Sequence, residues 1–231
     1  MKSRTRLLLA LASHIVFVSV IGAQPQNLLT PVDFFSRVSK AFGRIQDYQA
    51  EIRIFMEEDE IEWRGSLLYK KPDMLRIDYT EPAEQVLVFN GEKLIFYRPE
   101  YSTVFEQAVQ QRTDGSAGLL QTDEELSLLR DNYSVAYLVG PDPVPLEEDS
   151  EEMVIKLKFR ANSTAENFRE LEISFDENDF YRRVIGRTLN RTWQVDFTGV
   201  VINPGIPDPR FDYKYPANAN VYDDFLFEAQ E

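Results

Sequence analysis

Carboxylates are the most abundant side chains of this chain that could do chemistry. Its 231 residues include 39 Asp and Glu, and adjacent pairs occur at Glu147/Glu148 and Asp223/Asp224. Two carboxylates that converge across a cleft can share the acid and nucleophile roles of a glycoside hydrolase. Acidic residues that are adjacent in sequence more often lie on a solvated turn, as we expect for the run from Glu57 to Glu60. We therefore keep carboxylate catalysis only as an alternative.

The chain has no cysteine and one histidine, His14. This histidine lies in a segment that we expect to be removed on export, so the mature chain would have neither imidazole nor thiol. Ser-His-Asp and Cys-His catalysis are excluded on that basis, and zinc, copper and haem sites that need these ligands are not expected. The sequence also lacks a phosphate-binding Gly-rich loop and a dinucleotide fingerprint. We predict no catalytic residues, no metal, no cofactor and no enzymatic activity.

Residues 1–23 have the features of a secretory signal peptide. Three basic residues precede an apolar run over residues 7–21, and the small residues Gly22 and Ala23 follow. The run is shorter than the roughly 20 apolar residues of a membrane span, and it contains polar side chains. We predict that 1–23 is cleaved on export and that 24–231 forms a single periplasmic domain.

The predicted mature chain is strongly acidic. Removal of 3 of the 25 basic residues leaves 22 against 39 acidic residues, a formal charge of −17. Nucleic-acid affinity comes mainly from Lys and Arg that displace counterions from phosphates, so a chain of this charge is repelled. We expect no nucleic-acid partner and no binding to an anionic bilayer.

Turn residues and alternating apolar residues predict a β-rich domain with two helical pieces. Thr30 and Pro31 begin an amphipathic helix that continues to Ile45, and a second helix or lid segment is predicted over 119–130. The predicted strands cover 48–55, 61–69, 75–79, 86–89, 94–97, 101–109, 133–139, 153–160, 168–175, 181–189 and 192–197. Asn90-Gly91 between two apolar runs is a strong hairpin signal. The runs Val86–Phe89 and Leu94–Tyr97 are apolar at every position, which predicts strands covered on both faces and leaves open which face lines a cavity.

The stretch from Gly65 to Pro99 resembles the LolA-like family of periplasmic lipoprotein carriers. The shared pattern begins with a small residue, an aromatic and the basic-basic-Pro run Lys70-Lys71-Pro72. An extended strand, a second proline (Pro82) and an apolar strand that ends in Asn90-Gly91 follow. The closing segment FDYKYPANANV, residues 211–221, is similar to the aromatic and proline element of that family. The resemblance implies a mainly β, α+β fold. Its architecture would be an incompletely closed, strongly curved antiparallel β-barrel with a helical lid over an apolar cavity.

The same resemblance implies a function. The protein would bind the acyl chains of lipoproteins and shuttle them from the inner to the outer membrane, as a monomer. Its partners would be an inner-membrane ABC-type lipoprotein-releasing complex and an outer-membrane acceptor. The alternatives are a related lipid or glycolipid carrier or an envelope lipid sensor of the same fold, a carboxylate-based hydrolase of envelope glycans, and an interaction protein with a filled core.

Two sets of site residues follow from the resemblance. Lys71 stands where the family typically has an Arg that holds the lid closed, and we expect Arg76 to share this role because Lys has no planar fork of donors. The cavity is predicted to be lined by Trp63, Leu67, Tyr69, Leu75, Ile77, Tyr79, Val86, Val88, Leu94 and Phe96.

Overall fold

A computed structural model describes residues 29–108 and 123–223. Its helices are α1 (Pro31–Gly43) and α2 (Asp123–Asn132). Its strands are β1 (Asp47–Met56), β2 (Ile61–Lys70), β3 (Met74–Glu81), β4 (Val86–Phe89), β5 (Lys93–Arg98), β6 (Thr103–Ala108), β7 (Tyr133–Tyr137), β8 (Val144–Pro145), β9 (Met153–Ala161), β10 (Glu170–Phe175), β11 (Tyr181–Arg187), β12 (Thr192–Ile202) and β13 (Asn220–Asp223). In this part of the chain no helix is long and apolar enough to cross a membrane.

All thirteen strands belong to one large, curved sheet that does not close. The order is β13-β6-β5-β4-β3-β2-β1-β12-β11-β10-β9-β7, with β8 paired to β9. Neighbouring strands are antiparallel, and the exception is β13, which pairs with β6 in parallel. The predicted mainly β architecture, an incomplete barrel with a helix against it, is confirmed.

The first helix forms where the sequence predicts it. The hydroxyl of Thr30 accepts the backbone N–H of Asp33 at 3.1 Å, and Pro31 occupies the first turn. Both features favour a helix start, since a first-turn N–H has no partner within the helix. The helix then buries one stripe, which consists of Phe34, Phe35, Val38 and Phe42.

These buried side chains place α1 across β9, β10 and β11. The ring centroid of Phe34 lies 5.8 Å from that of Phe175, and Phe35 lies 4.9 Å from Phe159. At the end of the helix, Phe42 stacks on Tyr181 at 5.0 Å. We call the face of the sheet against which α1 packs the inner face, and the opposite one the outer face.

The predicted hairpins are confirmed. Strands β1 and β2 pair over their full lengths, from Asp47 with Lys70 to Met56 with Ile61. In the turn between β4 and β5, the Asn90 side-chain carbonyl accepts the backbone N–H groups of Glu92 and Lys93 at 3.1 and 2.9 Å. Gly91 has φ of +92°, a conformation that glycine adopts without strain.

Several boundaries differ from the predictions, among them the start of β6 and the end of β12, and the short strands β8 and β13 were not predicted. Strand β6 begins at Thr103, because Pro99–Tyr101 forms a 3-10 turn closed by Ser102 in the left-handed conformation. Strand β12 continues to Ile202, where it pairs with Tyr48 at the start of β1. The second helix is described over Asp123–Asn132, and residues 119–122 of the predicted segment lie outside the described residues.

The outer face is covered in part by the chain that follows β12. Buried Asp47 accepts the backbone N–H groups of Gly205 and Ile206 at 3.0 and 3.2 Å, which fixes the start of this tail. Farther along, Phe211 is fully buried in a cluster with Leu68 and Ile206. The tail, residues 203–223, therefore fills a second, smaller core on the outer face.

Gly65 occupies a position in β2 that admits no side chain. A Cβ there would lie 2.5 Å from the carbonyl oxygen of Asp78 and 2.9 Å from the Cα of Tyr79, both backbone atoms of β3. We expect Gly65→Ala to lower the free energy of unfolding by about 2 kcal/mol, because the β2–β3 pairing must shift. Urea denaturation measures this loss.

Gly140→Ala is the matched control, because a Cβ there meets nothing within 4 Å. Its effect should stay below about 1 kcal/mol. Equal stability of the two variants would show that β2 and β3 do not approach as closely as described.

Candidate functional site

Eight of the ten residues predicted to line a cavity share the inner face. The strand register aligns Leu67 with Ile77 and Tyr69 with Leu75, and alternation along each strand carries the others to the same side. The eight are Trp63, Leu67, Tyr69, Leu75, Ile77, Tyr79, Leu94 and Phe96.

Burial divides these eight residues into two groups. Leu67, Tyr69 and Ile77 are buried and belong to the main core that includes the helix residues. The other five, Trp63, Leu75, Tyr79, Leu94 and Phe96, are half-buried. Their exposed parts form an apolar surface on the inner face of β2 to β5, beside the core that α1 fills. We call it the inner apolar surface.

Val86 and Val88 do not belong to the inner apolar surface, so their assignment was wrong. Both point to the outer face, where Val88 is fully buried and pairs with Ile95. The inward positions of β4 are Leu87 and Phe89, which the register places beside Phe96 and Leu94. The sequence run is apolar at all four positions, so its pattern contains no signal for the inward pair.

Two further residues of the inner face were missed by the sequence analysis. Phe105 in β6 stacks on Phe96 with ring centroids 6.4 Å apart. Trp193 in β12 lies 6.5 Å from Trp63, across β1. Phe105 could have been inferred from alternation along its strand. Trp193 could not, because only the strand order shows that β12 lies next to β1.

Lys71 fastens the end of α1. Its ammonium group donates to the backbone carbonyls of Phe42 and Gly43 at 3.2 and 3.0 Å. The last carbonyls of a helix have no partner within it and carry partial negative charge, so a cation there is favourable. The stacking of Phe42 on Phe180 and Tyr181 holds the same turn from its apolar side.

The other end and the middle of α1 are also fastened. The Tyr137 hydroxyl donates to the carbonyl of Leu29 at 2.8 Å, just before the helix. In the middle, the Arg37 guanidinium pairs with Asp179 at 2.7 Å, in the turn between β10 and β11. The pair is partly exposed, so it adds modestly to stability.

Arg76 lies on the outer face, away from the end of α1, which corrects the expectation that it shares the role of Lys71. Its position between Leu75 and Ile77 forces this orientation, because successive residues of a strand point to opposite faces. The guanidinium binds both carboxylate oxygens of Asp78 at 2.7 and 2.8 Å, and it donates to the carbonyl of Arg210 at 2.9 Å. Hydrogen bonds to Asp78 raise the pKa of Arg76. Arg76 therefore holds the tail rather than the helix.

Of the two carboxylate pairs, the structure describes Glu147, Glu148 and Asp223. Glu147 lies 2.5 Å from Arg183, which also binds Asp196. Asp223 ends β13, and Asp224 lies outside the described residues. Over residues 29–108 and 123–223, His, Cys, Asp and Glu do not gather in groups of three that could hold a metal ion.

The family model for the outer membrane lipoprotein carrier protein LolA matches residues 56–214. The chain belongs to this family. A relative from Dechloromonas aromatica (strain RCB), named outer-membrane lipoprotein carrier protein, is 24% identical over 161 residues, which cover 68% of this chain and 70% of the relative. A second protein of that name, from Azotobacter vinelandii (strain DJ / ATCC BAA-1303), is 27% identical over 163 residues, 69% of this chain and 72% of the relative.

Two solved structures share the fold of this chain. An uncharacterized conserved protein from Thermus thermophilus superimposes with a TM-score of 0.53 at 12% identity, over 83% of this chain and 98% of that protein. A crystal structure of MucB gives 0.50 at 11% identity, over 80% of this chain and 62% of MucB. At these identities the likeness shows the fold alone.

The Lys71 contacts generate a prediction for the last turn of α1. Lys71→Leu removes the donor to two helix-end carbonyls, so we expect backbone amides of this turn to exchange about three- to tenfold faster. Hydrogen exchange followed by mass spectrometry measures the effect. Lys40→Leu is the control, because Lys40 is an exposed lysine of the same turn. Equal protection in the two variants would contradict the fastening role.

Tyr79 generates a prediction for alkaline pH. Burial raises the pKa of its hydroxyl to about 12, whereas an unfolded Tyr titrates near 10. The neutral form is favoured in the folded state, so this stability is present below pH 10 and is lost as the pH rises through 12. Tyr79→Phe should reduce the loss of stability between pH 8 and pH 11 by about 1.4 kcal/mol. Urea denaturation at pH 8 and pH 11 measures it, with exposed Tyr101→Phe as the control. An unchanged pH dependence would show that Tyr79 is not buried as described.

Proposed function

We propose that this LolA-family protein is a periplasmic carrier. It binds the acyl chains of lipoproteins on its inner apolar surface and carries them from the inner to the outer membrane. The observation that supports this most is the row of half-buried aromatic and aliphatic side chains on the inner face, beside a helix held by polar contacts. Membership of a family of carriers supports the same reading.

The physical task of such a carrier is to keep acyl chains away from water. Each buried CH₂ group is worth about 0.8 kcal/mol, so a chain of about 15 such groups costs roughly 12 kcal/mol to expose. A surface lined by Trp63, Tyr79 and Phe96 can cover such a chain with few polar groups, as apolar ligand sites do. We infer a binding protein rather than an enzyme.

A carrier must also release its cargo, and Lys71 is proposed to control this step. Two hydrogen bonds from one ammonium group hold the end of α1. Loss of these bonds would loosen the last turn of α1, whereas the buried side chains Phe34, Phe35 and Val38 keep the rest of the helix on the core. Lys71→Leu should therefore change the rate at which bound lipoprotein is released, and an unchanged rate would reject this role.

The proposal includes location and partners. The protein is exported with removal of residues 1–23, and residues 24–231 act as one monomeric domain. It receives lipoproteins from an inner-membrane ABC-type releasing complex and delivers them to an outer-membrane acceptor.

The test is to identify what the protein carries. Native mass spectrometry and lipid extraction of protein purified from a periplasmic fraction should reveal acyl chains or a triacylated lipoprotein. Phe96→Ser should reduce bound lipid about fivefold, because it removes apolar area from the inner apolar surface. Tyr101→Ser, a change in an exposed turn, should not.

Two results would contradict the proposal. Lipid-free protein that also fails to take up a fluorescent fatty acid would favour an interaction protein. Bound lipids without any lipoprotein, together with no uptake of lipoprotein in vitro, would favour a carrier or sensor of envelope lipids.

A further inference from the structure

The inner face contains a row of side chains that runs across the strands. Each member lies directly opposite the next in the strand register, from β2 through β3, β4, β5 and β6 to β13. We call this set the cross-strand row. Its members are Leu67, Ile77, Leu87, Phe96, Phe105 and Tyr222.

Exposure increases along the cross-strand row. Leu67 and Ile77 are 0% and 2% exposed, whereas Tyr222 at the far end is 56% exposed. Leu87, Phe96 and Phe105, between them, are half-buried. The row therefore begins in the core and ends at an edge of the sheet.

The half of the cross-strand row that is nearer the edge of the sheet is a continuous aromatic surface. The rings of Phe96 and Phe105 are 6.4 Å apart with an interplanar angle of 24°, and those of Phe105 and Tyr222 are 5.9 Å apart at 30°. Tyr222 faces inward because it pairs with Phe105, while its neighbour Val221 pairs with Val104 on the outer face. The tail thus adds one aromatic ring to the inner face.

Polar residues border the row in the half that is nearer the edge of the sheet. On one side Arg98, Thr103 and Asn220 lie opposite one another in the register. On the other side Gln107 borders Phe105 in β6, whereas Leu94 and Phe89 continue the apolar surface in β5 and β4. At β6 the apolar strip is therefore about one side chain wide. Its half-buried and exposed part, from Leu87 to Tyr222, crosses four strands at about 4.8 Å spacing, a length of about 14 Å.

A strip of this shape fits one extended hydrocarbon chain. It is long, narrow and uncharged, and it is continuous with the inner apolar surface through Phe96. A peptide fits less well, because its backbone N–H and C=O groups need hydrogen-bond partners. The six side chains of the row offer only one, the hydroxyl of Tyr222. At β6 the width between Thr103 and Gln107 leaves room for one chain.

We propose that an acyl chain of the cargo lies across the strands along the cross-strand row and leaves the protein over Tyr222. This inference rests on the proposed function and adds to it the direction of the chain and a ligand contact made by the tail. The parallel pairing of β13 with β6, with Asn220 donating to the carbonyl of Ser102 at 2.8 Å, is what brings Tyr222 into the site.

The test compares two neighbouring positions of β13 in the full-length mature chain. Tyr222→Ser should raise the Kd for the fluorescent fatty acid cis-parinaric acid about fivefold, because it removes the end of the strip. Val221→Ser, on the outer face of the same strand, should change the Kd by less than about twofold. Tyr222→Leu should stay close to wild type, since it keeps an apolar side chain.

Chain length tests the direction of the chain. A chain that leaves over Tyr222 contacts this ring near its carboxyl end whatever its length, so in competition against cis-parinaric acid Tyr222→Ser should weaken laurate and palmitate by similar factors. A loss confined to palmitate, or a loss that is equal in Tyr222→Ser and Val221→Ser, would overturn the proposal.

The outcome for wild type tests the two proposals separately. Wild-type protein that binds no fatty acid and carries no lipoprotein contradicts the proposed function. If wild-type protein binds fatty acid and neither substitution at Tyr222 changes the Kd, only the path along the cross-strand row is contradicted. The proposed carrier function then stands.

Discussion

The structure depends on one constraint, which is that a single sheet with apolar side chains on both faces must have both faces covered. Over β2 to β6 the inward positions include Leu67 and Ile77 and the outward ones include Leu68 and Val88, all four of which are buried. Burial of apolar area is the main favourable term in folding, so neither face can be left to water without loss. The helix α1 covers part of the inner face, and the tail covers part of the outer face.

The two covers are attached in different ways. The tail is anchored by the buried carboxylate of Asp47, which accepts two backbone N–H groups, and by Phe211 in its own small core. The end of α1 combines stacked rings with hydrogen bonds from half-exposed Lys71. Hydrogen bonds from a charged donor near solvent are weakened by water, whereas those to a buried carboxylate are not. The polar contacts at the end of α1 are therefore the weaker ones, and it is the buried stripe with Phe34 and Val38 that attaches the helix to the core.

A carrier needs this combination, because it has to bind an apolar chain and later release it. The half-buried side chains from Trp63 to Phe105 keep some contact with solvent, so covering them with an acyl chain is favourable. The fully buried ones, such as Leu67, already have protein neighbours. Binding on the inner apolar surface would therefore extend the core of the protein outward. The tail would contribute through Tyr222 without having to move.

The sequence by itself determined the local elements and the family. Thr30 and Pro31 start α1, Asn90-Gly91 closes a hairpin, and the stretch from Gly65 to Pro99 resembles LolA-like carriers. All three can be found in the sequence because caps, turns and short motifs depend on neighbouring residues only. It also singled out Lys71. Tertiary structure alone decided which strands are neighbours and which face points inward in a strand without alternation. Val86 and Val88 point outward in such a run, and Trp193 and Tyr222 reach the inner face through pairings between strands far apart in sequence. The orientation of Arg76 follows from alternation along β3, and only its contact with the tail needed the tertiary structure. Such long-range register is set by the whole sheet, so no local pattern contains it.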